Sequence, residues 1–242
     1  AAPPGEILVA HDTYTHVRGV FDVRQLPPVR MRGRNEPVEV YVILRARPRA
    51  FRQQARGIEG IETKMIGREP ELKVLQDAMG LTIEDRETQV VTVVGEAGVG
   101  KSRLLYEFTN WVDLMEEKLW FFEARATQPS MLQPYSLTRD LFSFRFKILD
   151  NDPLSAVHEK FEAGIAGFLN GGGSREAAHM IGQLVGFDFS ESPVVKPKLE
   201  QPEAFHQEAL ALLGRFFLTA AGTSPVFIQV EDIHWADDRS LD

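Results

Sequence analysis

The chain contains no cysteine, which removes disulfides, thiolate nucleophiles and cysteine-ligated zinc from its chemistry. It has no long apolar run either. A membrane-spanning helix needs about 20 apolar residues, and the best candidate, Phe216 to Ala221, is bounded by Arg215 and Gly222. No signal-like segment opens the sequence. The six histidines are scattered without metal-ligand spacing and read as surface or packing residues. Lysine is missing from residues 1–57, where ten arginines face five acids; the remainder holds 17 basic and 30 acidic residues, and the whole chain carries −8. That acidic majority disfavours a broad nucleic-acid surface, because phosphate would be repelled. The run Arg45, Arg47, Arg49, Arg52, Arg56 is interleaved with one aromatic, Phe51, and reads as a solvated linker or interdomain contact. These absences predict a soluble, cytoplasmic protein with no membrane and no nucleic-acid partner. The 242 residues suffice for one sizeable core and a smaller unit.

The strongest positive feature is Gly95-Glu96-Ala97-Gly98-Val99-Gly100-Lys101-Ser102, a complete G-x-x-x-x-G-K-[ST]. Before it, Gln89 to Val94 is a β-branched run that predicts a buried parallel strand; after it, Arg103 and the following residues predict a helix. Such a loop lets backbone N–H groups close around phosphate oxygens at a helix N-terminus, whose dipole favours the anion. The pattern assigns Lys101 to the β- and γ-phosphates and the Ser102 hydroxyl to Mg2+; Arg103, the next residue, is counted with the nucleotide-binding residues.

A phosphate loop calls for an acidic partner. Pro225 to Val230 is a second apolar strand that runs into Glu231 and Asp232, where a carboxylate can serve the metal. Side chains alternate on a strand, so an undistorted strand cannot aim both acids at one ion. The expectation is Asp232 on Mg2+ and Glu231 orienting the attacking water.

From about Met65 onward, three stretches together resemble the regulatory P-loop ATPases of the AAA/STAND type: Ile66-Gly67-Arg68-Glu69-Pro70-Glu71-Leu72, GEAGVGKSRLL, and VEDIHWADDRSLD. The resemblance implies ATP as the nucleotide, places Ile66, Gly67 and Arg68 at its adenine and ribose end, and implies helical effector domains and protein partners or oligomers. The chain departs from the family pattern at Glu231, where relatives usually carry Asp.

The N-terminal stretch reads as a small β-rich piece, with a strand over Val38 to Leu44 and turn residues from Gly33 to Pro37. GEILVA, YTHVRG and VRMRGRNEPVEVYVIL resemble the C-terminal end of a class III adenylate/guanylate cyclase domain. In that family the metal-binding aspartates and the transition-state Asn/Arg pair precede this point, so no cyclase chemistry is expected of the piece. The chain begins without Met, inside a domain, and stops just after the acidic motif; it reads as an internal fragment, with a cyclase end over 1–48, a linker over 49–63 and a P-loop ATPase domain over 64–242.

Between the two motifs, Leu119 to Ala124 predicts a strand, Gln128 to Tyr135 a loop, and Leu137 to Leu149 a helix. Asp152 followed by Pro153 predicts a capped helix that Gly171 to Gly173 would stop, and Ser174 a cap for a helix to about Val185. Pro202 to Ala221 predicts a long helix leading into the acidic strand. The expected fold is α/β: a parallel P-loop sheet with helices on both faces, preceded by the β-rich remnant. The implied activity is slow, Mg2+-dependent ATP hydrolysis in a signalling module; a non-catalytic nucleotide-holding scaffold and a P-loop phosphotransferase remain open alternatives.

Overall fold

The computed structural model describes residues 6–17, 21–30, 37–46, 65–115, 117–169 and 173–242. The chain divides into two compact units, Ala1–Glu117 and Lys118–Asp242. The expected linker over 49–63 and the arginines from 47 onward lie outside the described residues, as does most of the Gly33 to Pro37 turn.

In the first unit β1 (Ile7–Ala10), α1 (His11–Val17), β2 (Phe21–Val29) and β3 (Val38–Ala46) form an antiparallel sheet in the order β1-β3-β2. The central strand carries the burial, at Val38, Val40, Tyr41 and Val42. Tyr14 of α1 stacks on Tyr41 at 4.1 Å. Burial, together with the hydrogen bond its hydroxyl donates to Glu39 at 3.0 Å, holds the Tyr41 phenol well above its usual range. Pro27 and Pro28 sit in β2 where the register shifts between Leu26 and Val29. An edge strand tolerates them because proline has no N–H to give a ladder.

The same unit holds α2 (Glu69–Glu84) and α3 (Lys101–Asp113), which pack against each other. Pro70 stands in the first turn of α2, where the missing N–H costs nothing, and Leu75 and Met79 bury one face at i, i+4 spacing. The expected strand over Gln89 to Val94 is not formed. Among the described residues no segment pairs with it, and Val90 and Val94 are 86% and 85% exposed. A β-branched run supplies propensity, but a strand exists only as a hydrogen-bonded ladder with a neighbour.

In the second unit β4 (Trp120–Arg125) and β5 (Val226–Glu231) pair in parallel, in register from Trp120↔Val226 to Arg125↔Glu231. A parallel pair needs a long crossover. It is built from α4 (Ser136–Phe146), α5 (Leu154–Ala166), α6 (Ser174–Leu184) and α7 (Pro202–Thr223), with 3-10 turns at Gln128–Leu132 and Lys196–Glu200. The described parallel sheet therefore has two strands. Phe122, Phe142, Phe161 and Phe216 are fully buried, and Phe122 meets Phe142 and Phe216 edge-on at 6.4 and 6.2 Å, an arrangement suited to aromatic quadrupoles. His179 is a packing histidine, buried between Ser192 (2.6 Å) and Glu162 (2.9 Å).

Three helix boundaries differ from the expected capping. Asp152 does not cap α5: its carboxylate accepts the Leu149 N–H at 2.8 Å and the Lys160 ammonium at 2.5 Å, and Pro153 occupies the cap position. α5 ends at Ala166, ahead of the glycine run, with the Leu169 N–H returning to the Ile165 carbonyl. Ser174 is the first helical residue of α6 and Gly173 its cap.

Candidate functional site

The phosphate loop is shaped by its glycines. Gly98 and Gly100 adopt φ of 84° and 96°, and Gly100 is the residue from which α3 springs. No other residue type occupies that region freely, and nothing lies within 4 Å of where a Cβ would project at either position. At Gly95 a Cβ would meet Val99 Cγ2 at 3.0 Å. The Lys101 ammonium arches back over the loop, donating to the Gly95 and Glu96 carbonyls at 2.8 and 2.9 Å. The first N–H groups of α3, from Lys101 to Arg103, have no intrahelical acceptor by geometry. Arg103 is tied to Glu107 one turn on, at 2.5 Å. Loop, ammonium and helix N-terminus thus lie together within residues 95–103.

The opening box lies just ahead of α2. Ile66 is 82% exposed, Gly67 has φ 74°, and Arg68 pairs with Glu71 at 2.6 Å. That hydrogen bond from Arg68 holds the Glu71 carboxyl below its ordinary range.

The acidic end belongs to the second unit. Glu231 closes β5, and Asp232 leaves the strand with φ 55° and ψ 38°. The alternation rule therefore stops at Glu231, and the backbone turn sets the direction of Asp232. Arg125, the last residue of β4, donates from Nε to Asp232 Oδ2 at 2.9 Å, and its terminal guanidinium nitrogen lies 2.9 Å from the same oxygen as an ion pair. Glu231 Oε2 is buried with no hydrogen-bond partner. A buried acceptor left unpaired is costly unless something satisfies it.

Two residues of this end were not assigned from sequence. Arg125 offered no signal, being one basic residue after a strand. Asp237 is 2% exposed and accepts the Tyr135 N–H at 2.7 Å, the Leu137 N–H at 3.3 Å, and the Ser240 N–H and hydroxyl at 2.9 and 2.7 Å. Burial pushes its carboxyl upward, but these donors outweigh burial and hold it below the usual carboxylate range. The Asp-x-x-Ser spacing from Asp237 to Ser240 was the available hint, since it marks a helix N-cap, here of α8 (Asp238–Leu241).

The predicted residues therefore fall into two groups: 66–68 and 95–103 in the first unit, Glu231 and Asp232 in the second. Among the described residues, no cluster of three or more His, Cys, Asp or Glu side chains is placed to hold a metal ion, and no helix is long and apolar enough to cross a membrane.

A family model described as "AAA ATPase domain" matches residues 64–242, so the chain belongs to the AAA ATPase domain family. The chain is also 26% identical over 185 residues to an uncharacterized protein of Rhizobium meliloti (strain 1021). That alignment covers 74% of the chain and 16% of the relative's length. No solved structure matches the chain.

Proposed function

We propose that the chain is a Mg2+-dependent ATP-binding module of the AAA/STAND type with slow hydrolysis, working in the cytoplasm within a larger cyclase-linked or transcription-regulator-like protein. The reading gives residues 1–48 to the end of a class III cyclase domain, 49–63 to a linker and 64–242 to the ATPase domain. The partners it expects are an intramolecular cyclase domain, helical effector domains, and further protein partners or copies. The observation that carries it is the folded phosphate loop, with two left-handed glycines at the foot of α3 and the Lys101 ammonium bridging the loop carbonyls.

The loop of the first unit supports a phosphate ligand through its left-handed Gly98 and Gly100 and the Lys101 ammonium. The Gly95 to Gly100 backbone, including Glu96, Ala97, Gly98 and Val99, would cradle phosphate with Lys101 and the N-terminal turn of α3 at Ser102 and Arg103. Ile66, Gly67 and Arg68 would hold the base and ribose end. Ser102 would ligate Mg2+, with Glu231 and Asp232 as the acidic partner. Mg2+ keeps waters and is held through one or two carboxylates plus substrate phosphates, so no protein-only cage is needed. The bound metal supplies charge neutralisation at the phosphates. The chain's own contribution is to present N–H donors and the Lys101 cation to phosphate, and to orient a water through a carboxylate at the end of β5. In this assignment Asp232 supports the metal and Glu231 holds the water, and the unpaired Glu231 Oε2 is an acceptor free for that proton.

The Arg125–Asp232 pair supports a second reading, a nucleotide-holding scaffold, because a cation already occupies the metal-side carboxylate. Calorimetric titration with Mg-ATP tests the main reading. Lys101→Ala should weaken binding by about 1–3 kcal/mol, the loss of a charge-assisted hydrogen bond; unchanged affinity would sink the assignment. Turnover measured on the wild-type chain separates hydrolysis from holding.

A further inference from the structure

The phosphate loop and the N-terminal sheet belong to one compact unit, Ala1–Glu117, although the sequence reading sets a linker over 49–63 between them. What joins them is α3. None of its 13 residues, Lys101 to Asp113, is exposed. Leu104, Tyr106, Phe108, Thr109, Asn110 and Val112 are all buried, and at about 100° per residue they span an arc of about 240°. A helix resting on one neighbour buries a stripe of about 100°. α3 therefore needs more than one seat. It packs against α2 and, from the sheet, against β2.

The loop end of α3 is tied into the same packing. Arg103, one residue past the octapeptide, pairs with Glu107 at 2.5 Å, both side chains being 16% exposed, and its guanidinium lies 5.3 Å from the centre of the Tyr106 ring. Lys101, the first residue of the helix, commits its ammonium to the Gly95 and Glu96 carbonyls. A phosphate that draws the ammonium away changes a side-chain tie between the loop and α3. Asn110 Nδ2 is buried with no hydrogen-bond partner among the described residues. Such a donor makes the seat costly to hold, so its stability is open to bias from either end. At the far end, β2 pairs with β3, whose Val42 and Tyr41 are buried and whose Tyr41 stacks on Tyr14. Whatever seats α3 on β2 therefore bears on the core of the sheet.

We propose that α3 couples the phosphate loop to the β1-β3-β2 sheet, so that nucleotide at the loop stabilises the sheet and damage to the sheet loosens α3. The linkage is reciprocal because both ends share one folded unit. It rests on the phosphate-loop half of the Mg-ATP reading above and asks nothing of Glu231 or Asp232. Two independently folding pieces joined by a linker would show no such linkage.

The test is hydrogen exchange read by mass spectrometry on the whole chain, with and without Mg-ATP at about 100 times its Kd, where linkage slows fully coupled amides by at most about a hundred-fold. Peptides covering 95–113 report binding, and peptides from 21–29 and 38–46 report the sheet. The sheet amides should slow by about ten-fold or more. Slowing at 95–113 with none in the sheet overturns the proposal and leaves the Mg-ATP reading standing. A second arm needs no nucleotide. Val42 is 1% exposed in β3, and Val42→Ala should speed exchange across 101–113 by about ten-fold while peptides from 174–184 hold. Unchanged exchange at 101–113 also overturns the proposal, and so does equal acceleration at 174–184, which would be a loss of stability with no preferred route. Wild-type chain that shows no slowing at 95–113 removes the Mg-ATP reading first, and the proposal with it.

Discussion

The phosphate loop and the acidic end are built on opposite principles. Everything that shapes the loop comes from one octapeptide: its turns are set by Gly98 and Gly100, and its lysine is bonded to carbonyls five and six residues back. The acidic end is assembled from segments about a hundred residues apart, through Arg125 to Asp232, Tyr135 and Leu137 to Asp237, and Thr138 to Ser240. The first therefore depends on backbone conformation, and the second on the packing that brings β4, α4 and β5 together.

The sharpest way to break that contrast is in the core behind the acidic end. Phe142 is fully buried and touches Phe122, Phe146, Phe161, Phe216 and Phe217. Phe142→Ala should cost about 3–5 kcal/mol in urea unfolding. Hydrogen exchange read by mass spectrometry should assign the loss to peptides from 118–242; equal loss across α3 would erase the distinction between the halves.

Asp237 makes a pH prediction. Its folded carboxyl lies below the unfolded value near 3.8, so the unfolded chain binds the proton first. The stabilisation is complete above that value and disappears as pH falls through the lower, folded value. Asp237→Asn should remove this part of the acid slope below about pH 4 and lower stability at neutral pH by about 1–3 kcal/mol, the penalty for buried donors left without an acceptor. Melts taken across acid pH check it; an unchanged slope would mean that the donors are satisfied without the charge.

Gly100→Ala sharpens the local side. At φ 96° an alanine is strained although the space for its Cβ is open, and the cost should be about 1–2 kcal/mol. Chemical denaturation measures it, and phosphate-loop affinity should fall with it. The smallest effect is expected at the Arg125–Asp232 pair, whose side chains are 57% and 32% exposed. A double-mutant cycle of Arg125→Ala with Asp232→Asn should give a coupling of about 1 kcal/mol or less. A much larger coupling would make the pair the main tether of Asp232.

These differences explain which parts were legible. Loop and following helix could be read because Gly-x-Gly-Lys-Ser fixes backbone torsions and helix start within a few bonds. The strands β4 and β5 could be read within a residue, from Trp120-Phe-Phe and Val226-Phe-Ile. Gln89 to Val94 has the same β-branched character but no ladder, because pairing is a property of two segments and only one was in view. Asp152 looked like a cap and became a partner for Lys160 and the Leu149 N–H, since a short acidic side chain takes whichever donors the fold brings closest.

The amino-acid order by itself determined the phosphate loop, the identity of its cation, the placement of two acids after an apolar strand, and the helical character of the segment between. Those features follow from torsional preferences and from periodicity along one chain. Tertiary structure alone decided that β4 and β5 lie parallel, that Asp232 turns left-handed into the grip of Arg125, and that Asp237 caps two helices at once. The reason is physical: a carboxylate in the interior keeps its charge only where donors converge on it, and those donors come from a helix start about a hundred residues away.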